Sequence, residues 1–374
     1  MSNSLLTAQH SLLVVYPAIP NPECFRDGTG LLAHISDLPK YFINLTISVN
    51  RYSFNERKKL KILVTGGAGF IGSHITDAYI NAGHSVVIID DLSMGVQANI
   101  NPKAKFYQID IRDAAVKDIF ERGKFDVVNH HAAQVDVRKS VDDPMFDASV
   151  NIIGVLNLLE NCKASGVMKF IFASTGGAIY GEPRLRGEQD YFPADENHPV
   201  RPLSPYGITK LATEKYLFYY EQIFNLPYIV LRYANVYGPR QNPHGEAGVV
   251  AIFAKKMLEG GQPHINGDGK QTRDYVFVGD VVRANLLALD YNKSEIFNIG
   301  TGIETDVNIL FNRIKILTKS ACDELHLPPK KGEQLRSVLD ASKIKKVLGW
   351  TPQVALDGGL KLTVEFFKNK INGK

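Results

Sequence analysis

Leu60-Lys-Ile-Leu-Val-Thr-Gly66-Gly67-Ala-Gly69-Phe-Ile-Gly72-Ser-His74, running on through a helical pattern to Ser85-Val-Val-Ile-Ile-Asp90-Asp91, is the stretch that decides the fold. An apolar run meets a glycine cluster, an amphipathic helix follows, and a second apolar run ends in two carboxylates. That order is the layout of a dinucleotide-binding βαβ unit. Residues 62–65 read as a buried parallel strand. The glycines let the backbone turn sharply and approach a pyrophosphate, and the helix start offers unpaired N–H groups and a positive dipole end to that anion. Glycines also punctuate ordinary loops. What separates the two readings is Asp90, about 20 residues beyond the turn at the end of the second strand, where a ribose-binding acid is expected. A carboxylate there hydrogen-bonds ribose hydroxyls and repels a 2′-phosphate, which favours NAD over NADP. The alternative for Asp90 or Asp91 is a plain strand-end cap.

With 374 residues the chain can bury a substantial core in one large domain or two smaller ones. Charged residues make up 22% and the formal net charge is +4, so composition points neither to disorder nor to a polyanionic partner. Neither an arginine-rich run nor a C-x-x-C zinc pattern argues for nucleic acid or metal. The cysteines Cys24, Cys162 and Cys322 are scattered and odd in number, which fits a reducing, cytoplasmic compartment better than a disulfide framework. No apolar run is long enough to span a bilayer, so no membrane association is expected.

Residues 1–59 stand apart from the pattern that follows. Their short apolar patches are broken by Pro17, Pro20, Pro22 and Pro39, and Arg26 is the first lysine or arginine, so a secretory signal is poorly supported. Three readings stay open: a poorly ordered leader, a small accessory element, or a start placed too far upstream. From Leu60 the alternation is regular. Strands are expected at 106–110, 125–129, 169–174 and 228–232, with helices ending at Arg122 and spanning 144–166 and 206–224. Strands alternating with helices predict an α/β fold with a doubly wound parallel sheet. The division expected is a nucleotide-binding domain over 60–235 and a smaller, mostly substrate-binding domain over 236–374, with helices around Leu286 and across 309–317.

Pro205-Tyr206-Gly-Ile-Thr-Lys210 places a phenol and an ammonium four residues apart, on one helix face. A free tyrosine ionises near pH 10, too high for a base at neutrality. A neighbouring ammonium and a cationic nicotinamide ring are expected to bring it toward the working range. Upstream, Ser174-Thr175-Gly176-Gly177 sets a hydroxyl at the C-terminal end of a strand, where ligands bind in open α/β sheets. His130 and His131 lack metal-ligand spacing and read as packed strand-end residues.

From Leu60 onward the chain resembles the extended short-chain dehydrogenase/reductases, a Rossmann-type group, and within them the NAD-dependent epimerase/dehydratase family, most like its UDP-glucose (UDP-galactose) 4-epimerase branch. The matching stretches are Thr65-Gly-Gly-Ala-Gly-Phe-Ile-Gly-Ser-His74, Asp90-Asp-Leu-Ser, Asp110-Ile-Arg, His131-Ala-Ala-Gln134, Asn151, Tyr180-Gly-Glu-Pro183 and Tyr206 with Lys210. Further on come Arg232-Tyr-Ala-Asn-Val-Tyr-Gly-Pro-Arg240, Gly267-Asp-Gly, Thr272-Arg-Asp-Tyr275 and Asn298-Ile-Gly-Thr-Gly302. The resemblance implies an isomerase that epimerises a UDP-hexose at C4 through a transient 4-keto sugar, with NAD as resident cofactor. Gly66, Gly69, Phe70, Ile71 and Gly72 would hold the pyrophosphate, Asp90 and Asp91 would serve the ribose end, and Asp110 and Ile111 the adenine. Ala132, Ala133 and Asn151 would line the cofactor, with Tyr206 and Lys210 reaching it. Thr175, Tyr206 and Lys210 would be catalytic, Ser174 being a close rival for the hydroxyl. Asn235 and Arg273 would contact the diphosphate of the sugar nucleotide, unless Arg273 is merely paired with Asp274. A homodimer, paired through helices around 151–162 and 206–224, is implied as well.

The departures from the family pattern carry expectations of their own. The Ser174-to-Gly181 run has one extra residue relative to Ser-Ser-Ala-x-Val-Tyr-Gly. Related dehydratases carry an acid straight after the threonine; Gly176 and Gly177 supply none, which argues against dehydration. The usual Arg-Pro-Gly-Glu appears as Lys330-Lys331-Gly332-Glu333, and a lysine cannot form a bidentate fork on phosphate. Ser337 stands where epimerases restricted to unacetylated sugars carry a tyrosine, so UDP-GlcNAc and UDP-GalNAc are expected to fit beside UDP-glucose and UDP-galactose. The rivals are a UDP-glucuronate epimerase or decarboxylase, and a non-catalytic protein that binds NAD or a nucleotide sugar.

Overall fold

The structure, a computed structural model, describes residues 58–182, 191–244, 248–329 and 334–373. Lys330, Glu333 and the leader, apart from Lys58 and Lys59, lie outside the described residues. Lys61–Thr65 (β1), Ser85–Asp90 (β2), Lys105–Gln108 (β3), Val127–His130 (β4), Lys169–Thr175 (β5) and Tyr228–Tyr233 (β6) alternate with helices. Asn235–Tyr237 (β7), Ile265–Asn266 (β8) and Thr272–Phe277 (β9) precede Glu295–Ile299 (β10). Glu304–Asp306 (β11), His326–Leu327 (β12) and Arg336–Ser337 (β13) complete the strands.

Seven of them form one parallel sheet in the order β10-β6-β5-β4-β1-β2-β3. Both faces are covered, which is why the central strands are apolar throughout rather than alternating. Ile62 and Val64 pack on one side with Ile75, Tyr79 and Ala284. Leu63, Val128 and Phe170 pack on the other with Leu158, Leu159 and Phe120. Each such large side chain contributes about 1.5–3 kcal/mol through burial. The strand order reverses between β1 and β4, so a crevice opens at their C-terminal ends, beside Thr65 and His130.

A second sheet is built on β9, with β11 antiparallel to it and β7 and β13 parallel. Phe253, Leu310, Phe311, Leu360 and Phe367 form its core, on helices Val249–Leu258, Val307–Thr318 and Leu356–Ile371. The segment after 236 also sends β10 back into the first sheet beside β6.

Two elements differ from the sequence reading. The helix expected over 144–166 is three pieces: Pro144–Ala148, a π-helical turn Ser149–Ile153, and Gly154–Ser165. The wide turn carries Asn151, whose side chain bonds a distant loop, and such turns gather at functional sites. The strand expected over 106–110 ends at Gln108, because Asp110 accepts a bond from the Arg112 amide and turns the chain.

Candidate active site

The glycine turn leaves β1 with Gly66 at φ +69°, a conformation glycine adopts freely. A Cβ there would stand 2.6 Å from the Ala132 nitrogen, so the turn lies directly against the loop after β4. Helix Phe70–Asn81 begins with the Ser73 amide bonding Gly69 O at 3.2 Å. The amides of Phe70, Ile71 and Gly72 belong to the first turn, whose N–H groups have no partner within the helix. Asp90, at the end of β2, is buried; its carboxylate accepts from the Ala68 amide at 3.0 Å and from the Leu92 amide at 2.9 Å. Burial raises its pKa, and these two bonds oppose the rise. Asp91 turns away to bond Ser93. Asp110 is forked onto Arg112, which holds its carboxyl below the usual range, and Ile111 is buried beside it. A helix start with amides left unpaired by the helix, beside a strand-end acid, fits a dinucleotide.

The loop after β4 is fixed from three sides. Thr65 Oγ1 lies 2.7 Å from His130 Nδ1 and accepts from the amides of His131 and Ala132 at 3.2 Å each. His130 stacks on Phe172, and His131 on Tyr233. Burial, then Lys210, pushes His131 down to about 3, so it is neutral near pH 7. Asn151 accepts from the Gln134 amide and donates to Gln134 O, both at 2.9 Å. Its side chain thus clamps the loop carrying Ala132 and Ala133. Beside it sits Asp147, fully buried, which the sequence did not single out: an acid in a helical run ordinarily reads as surface.

Helix Pro205–Phe224 starts where the sequence dictates. Ser204 caps it by accepting from the Gly207 amide at 3.2 Å, Pro205 takes the first turn, and Asn225 ends it in the left-handed conformation. Gly207 lets the helix come close, since a Cβ there would stand 2.7 Å from Ala178 O. Lys210 is buried and donates to Ala173 O at 2.9 Å, which brings Tyr206 and Lys210 to the end of β5. Its Nζ lies 5.8 Å from the Tyr206 ring centroid. The expected depression of Tyr206 requires the ammonium and a nicotinamide ring together, and the chain on its own supplies only the ammonium. Burial, and then Asp147, push the phenol above its ordinary value. Burial also brings Lys210 down to about 8, against the opposing pull of Asp147 and Glu214.

Ser174 and Thr175 have different surroundings. Ser174 is buried and donates to Glu214 Oε1 at 2.6 Å. Thr175 is partly exposed and caps the short helix Gly176–Ile179 by accepting from the Ala178 amide at 3.2 Å. Around Gly177 the expected substrate residues converge: a Cβ there would lie 3.6 Å from Asn235 Oδ1, 3.8 Å from Thr175 Oγ1 and 4.0 Å from Ser337 Oγ. Ser337 pairs in register with Arg273, across β13 and β9. Arg273 donates to Thr272 O and Gln334 O. Asp274 is not its partner, being spent on Thr301, Gly302 and Leu339, and Glu182 is an acid that faces Arg273. Among the described residues no cluster of three or more His, Cys, Asp or Glu could hold a metal, and no helix is long and apolar enough to cross a membrane.

Residues 62–300 match the model of the NAD dependent epimerase/dehydratase family. A UDP-glucose 4-epimerase of Mycolicibacterium smegmatis is 44% identical over 317 residues, covering 83% of this chain and 99% of that protein. Among solved structures, the UDP-glucose 4-epimerase of Thermotoga maritima with UDP-glucose is similar at a TM-score of 0.80 and 52% identity, covering 83% of this chain and 99% of that one. A UDP-N-acetylglucosamine 4-epimerase from Methanobrevibacter ruminantium, in complex with UDP-N-acetylmuramic acid, is similar at 0.77 and 34% identity, covering 84% and 100%.

Proposed function

The chain belongs to the NAD-dependent epimerase/dehydratase family, and on that premise we propose that it is an NAD-dependent isomerase that epimerises a UDP-hexose at C4. The observation that supports the reading is that Lys210, 5.8 Å from the Tyr206 ring, is bonded to Ala173 O near the C-terminal end of β5, two strands along from β1 and its glycine turn. The amides of 69–72 and Asp90 would hold NAD, which when bound would supply the hydride chemistry at the sugar carbon. Everything else is proton handling and positioning by the chain. Tyr206 takes the proton of the sugar 4-hydroxyl and returns it to the same oxygen after the 4-keto sugar has turned to present its other face, and Thr175 orients that hydroxyl. Ser174 is set aside because its own hydroxyl serves Glu214. Burial keeps the phenol neutral in the bare chain, so its ionisation depends on positive charge, from Lys210 and from the nicotinamide ring.

Asn235 and Arg273 are assigned to the diphosphate. The absence of a side chain at Gly177 and the small one at Ser337 support a range that extends to UDP-GlcNAc and UDP-GalNAc. A homodimer belongs to the same reading: Ile208, Phe218, Tyr219 and Ile223 of helix Pro205–Phe224 are exposed, and so is Ile153. Sedimentation of the purified protein tests that pairing. A cytoplasmic place, which the free thiols Cys162 and Cys322 support, and a role in galactose metabolism complete the proposal. Incubating the purified protein with UDP-galactose and no added cofactor should yield UDP-glucose, and heat should release bound NAD. Absence of product when NAD is also supplied would sink the reading.

A further inference from the structure

Asp147 has surroundings that its role as a helix residue does not explain. It is fully buried, and three neutral donors reach it. Gln134 Nε2 and Asn151 Nδ2 bond Oδ1 at 2.9 and 3.1 Å, and the Thr209 hydroxyl bonds Oδ2 at 2.8 Å. Burying a carboxylate is costly, so a chain keeps one only where donors or a nearby cation hold it. The donors come from three places: the loop after β4, the π-helical turn, and the helix of Tyr206 and Lys210. Thr209 lies between those two residues, and its hydroxyl is also 3.0 Å from Tyr206 O.

We propose that Asp147 is a positioning residue for Tyr206 and Lys210: it ties their helix to the cofactor-side loop and sets a fixed negative charge against both. This rests on reading Tyr206 and Lys210 as the proton-handling pair. The charge opposes ionisation of the phenol and supports the ammonium. Glu214, one turn beyond Lys210, also supports the ammonium, while the neutral His130 and His131 face Lys210 from the end of β4. A phenol held neutral by burial, and further by a fixed carboxylate, ionises when positive charge arrives beside it. Tyr206 can therefore act as base or acid according to what is bound.

Asp147→Asn removes the charge and little else. Its amide oxygen can accept from Gln134 and Asn151, and its NH2 can donate to Thr209 while that hydroxyl turns to Tyr206 O. Both limbs of the pH–rate profile for UDP-galactose conversion should move to lower pH by about 0.5–1. The ultraviolet titration of the Tyr206 phenolate, isolated by subtracting Tyr206→Phe, should move the same way. Thr209→Val cuts one tie and keeps the charge, so kcat should fall roughly 3–10-fold with the limbs in place. Limbs and titration unmoved in folded Asp147→Asn would overturn the charge role, and an unchanged kcat in Thr209→Val would overturn the tie. Should Asp147→Asn not fold, Thr209→Val decides the tie, and the same limbs and titration read in Asp147→Ser decide the charge. Full activity in Tyr206→Phe would instead bring down the reading of the pair itself.

Discussion

Two sets of polar side chains meet at the ends of β5 and β6, and they are built on opposite terms. The interior set runs from Ser174 to Glu214, from Glu214 to Arg232 in a two-pronged ion pair, then to Tyr180 and Asn298. Every member is buried, and Asn298 ends the chain on Ala194 O and Asp340 O. The cleft set comprises Thr175, Tyr206, Lys210, Asn235, Arg273 and Ser337. Among the described residues its bonds run largely to backbone: Thr175 to an amide, Lys210 and Arg273 to carbonyls. Polar groups that satisfy one another hold a structure together, whereas polar groups anchored through the backbone keep hydrogen-bonding capacity for a ligand.

The contrast can be broken most sharply at Tyr206. Tyr206→Phe should lower kcat by about 10²–10⁴-fold in a UDP-galactose assay, with the urea midpoint unchanged; a matching loss of stability would erase the distinction. Arg232→Met should do the reverse. It leaves Glu214 buried without its cation, a loss of about 3–5 kcal/mol, measured by denaturant unfolding. Neighbouring residues then sharpen the boundary. Thr175→Ala should cost about 10–100-fold in kcat, while Ser174→Ala should cost about 1 kcal/mol of stability with little change in rate. Equal rate losses in the two would merge the sets. The smallest effect is in pH. Burial makes the Lys210 ammonium give up its proton near 8, below the ordinary lysine value. Activity should therefore decline as pH rises through that region, because the positive charge supporting the phenolate is lost. A flat profile to pH 9 would detach Lys210 from the cleft set.

The sequence was most legible where local chemistry suffices. The glycine turn, the apolar strands and the four-residue spacing of Tyr206 and Lys210 are short-range patterns; the structure sets the turn at the end of β1 and bonds Lys210 to Ala173 O of β5. Partners far apart in the chain were not legible. Nothing near Ser174 announces Glu214, and an aspartate at 147 looks like any helix-surface acid until the fold closes over it. The upward push on Tyr206 was missed for a related reason. Spacing shows the helpful ammonium, but burial and the opposing carboxylate exist only in three dimensions.

The return of β10 to the edge of the first sheet bears on how the protein is made. β6 pairs with β5 on one side, and among the described residues its other edge is paired by the strand Glu295–Ile299. A ribosome will have exposed all of β1 to β6 well before it delivers that strand. Until then an apolar strand with unpaired backbone groups stands open, the kind of edge that recruits strands from other chains. Truncated products ending before residue 295 should accordingly aggregate, even though they hold the whole glycine turn and the Tyr206–Lys210 helix.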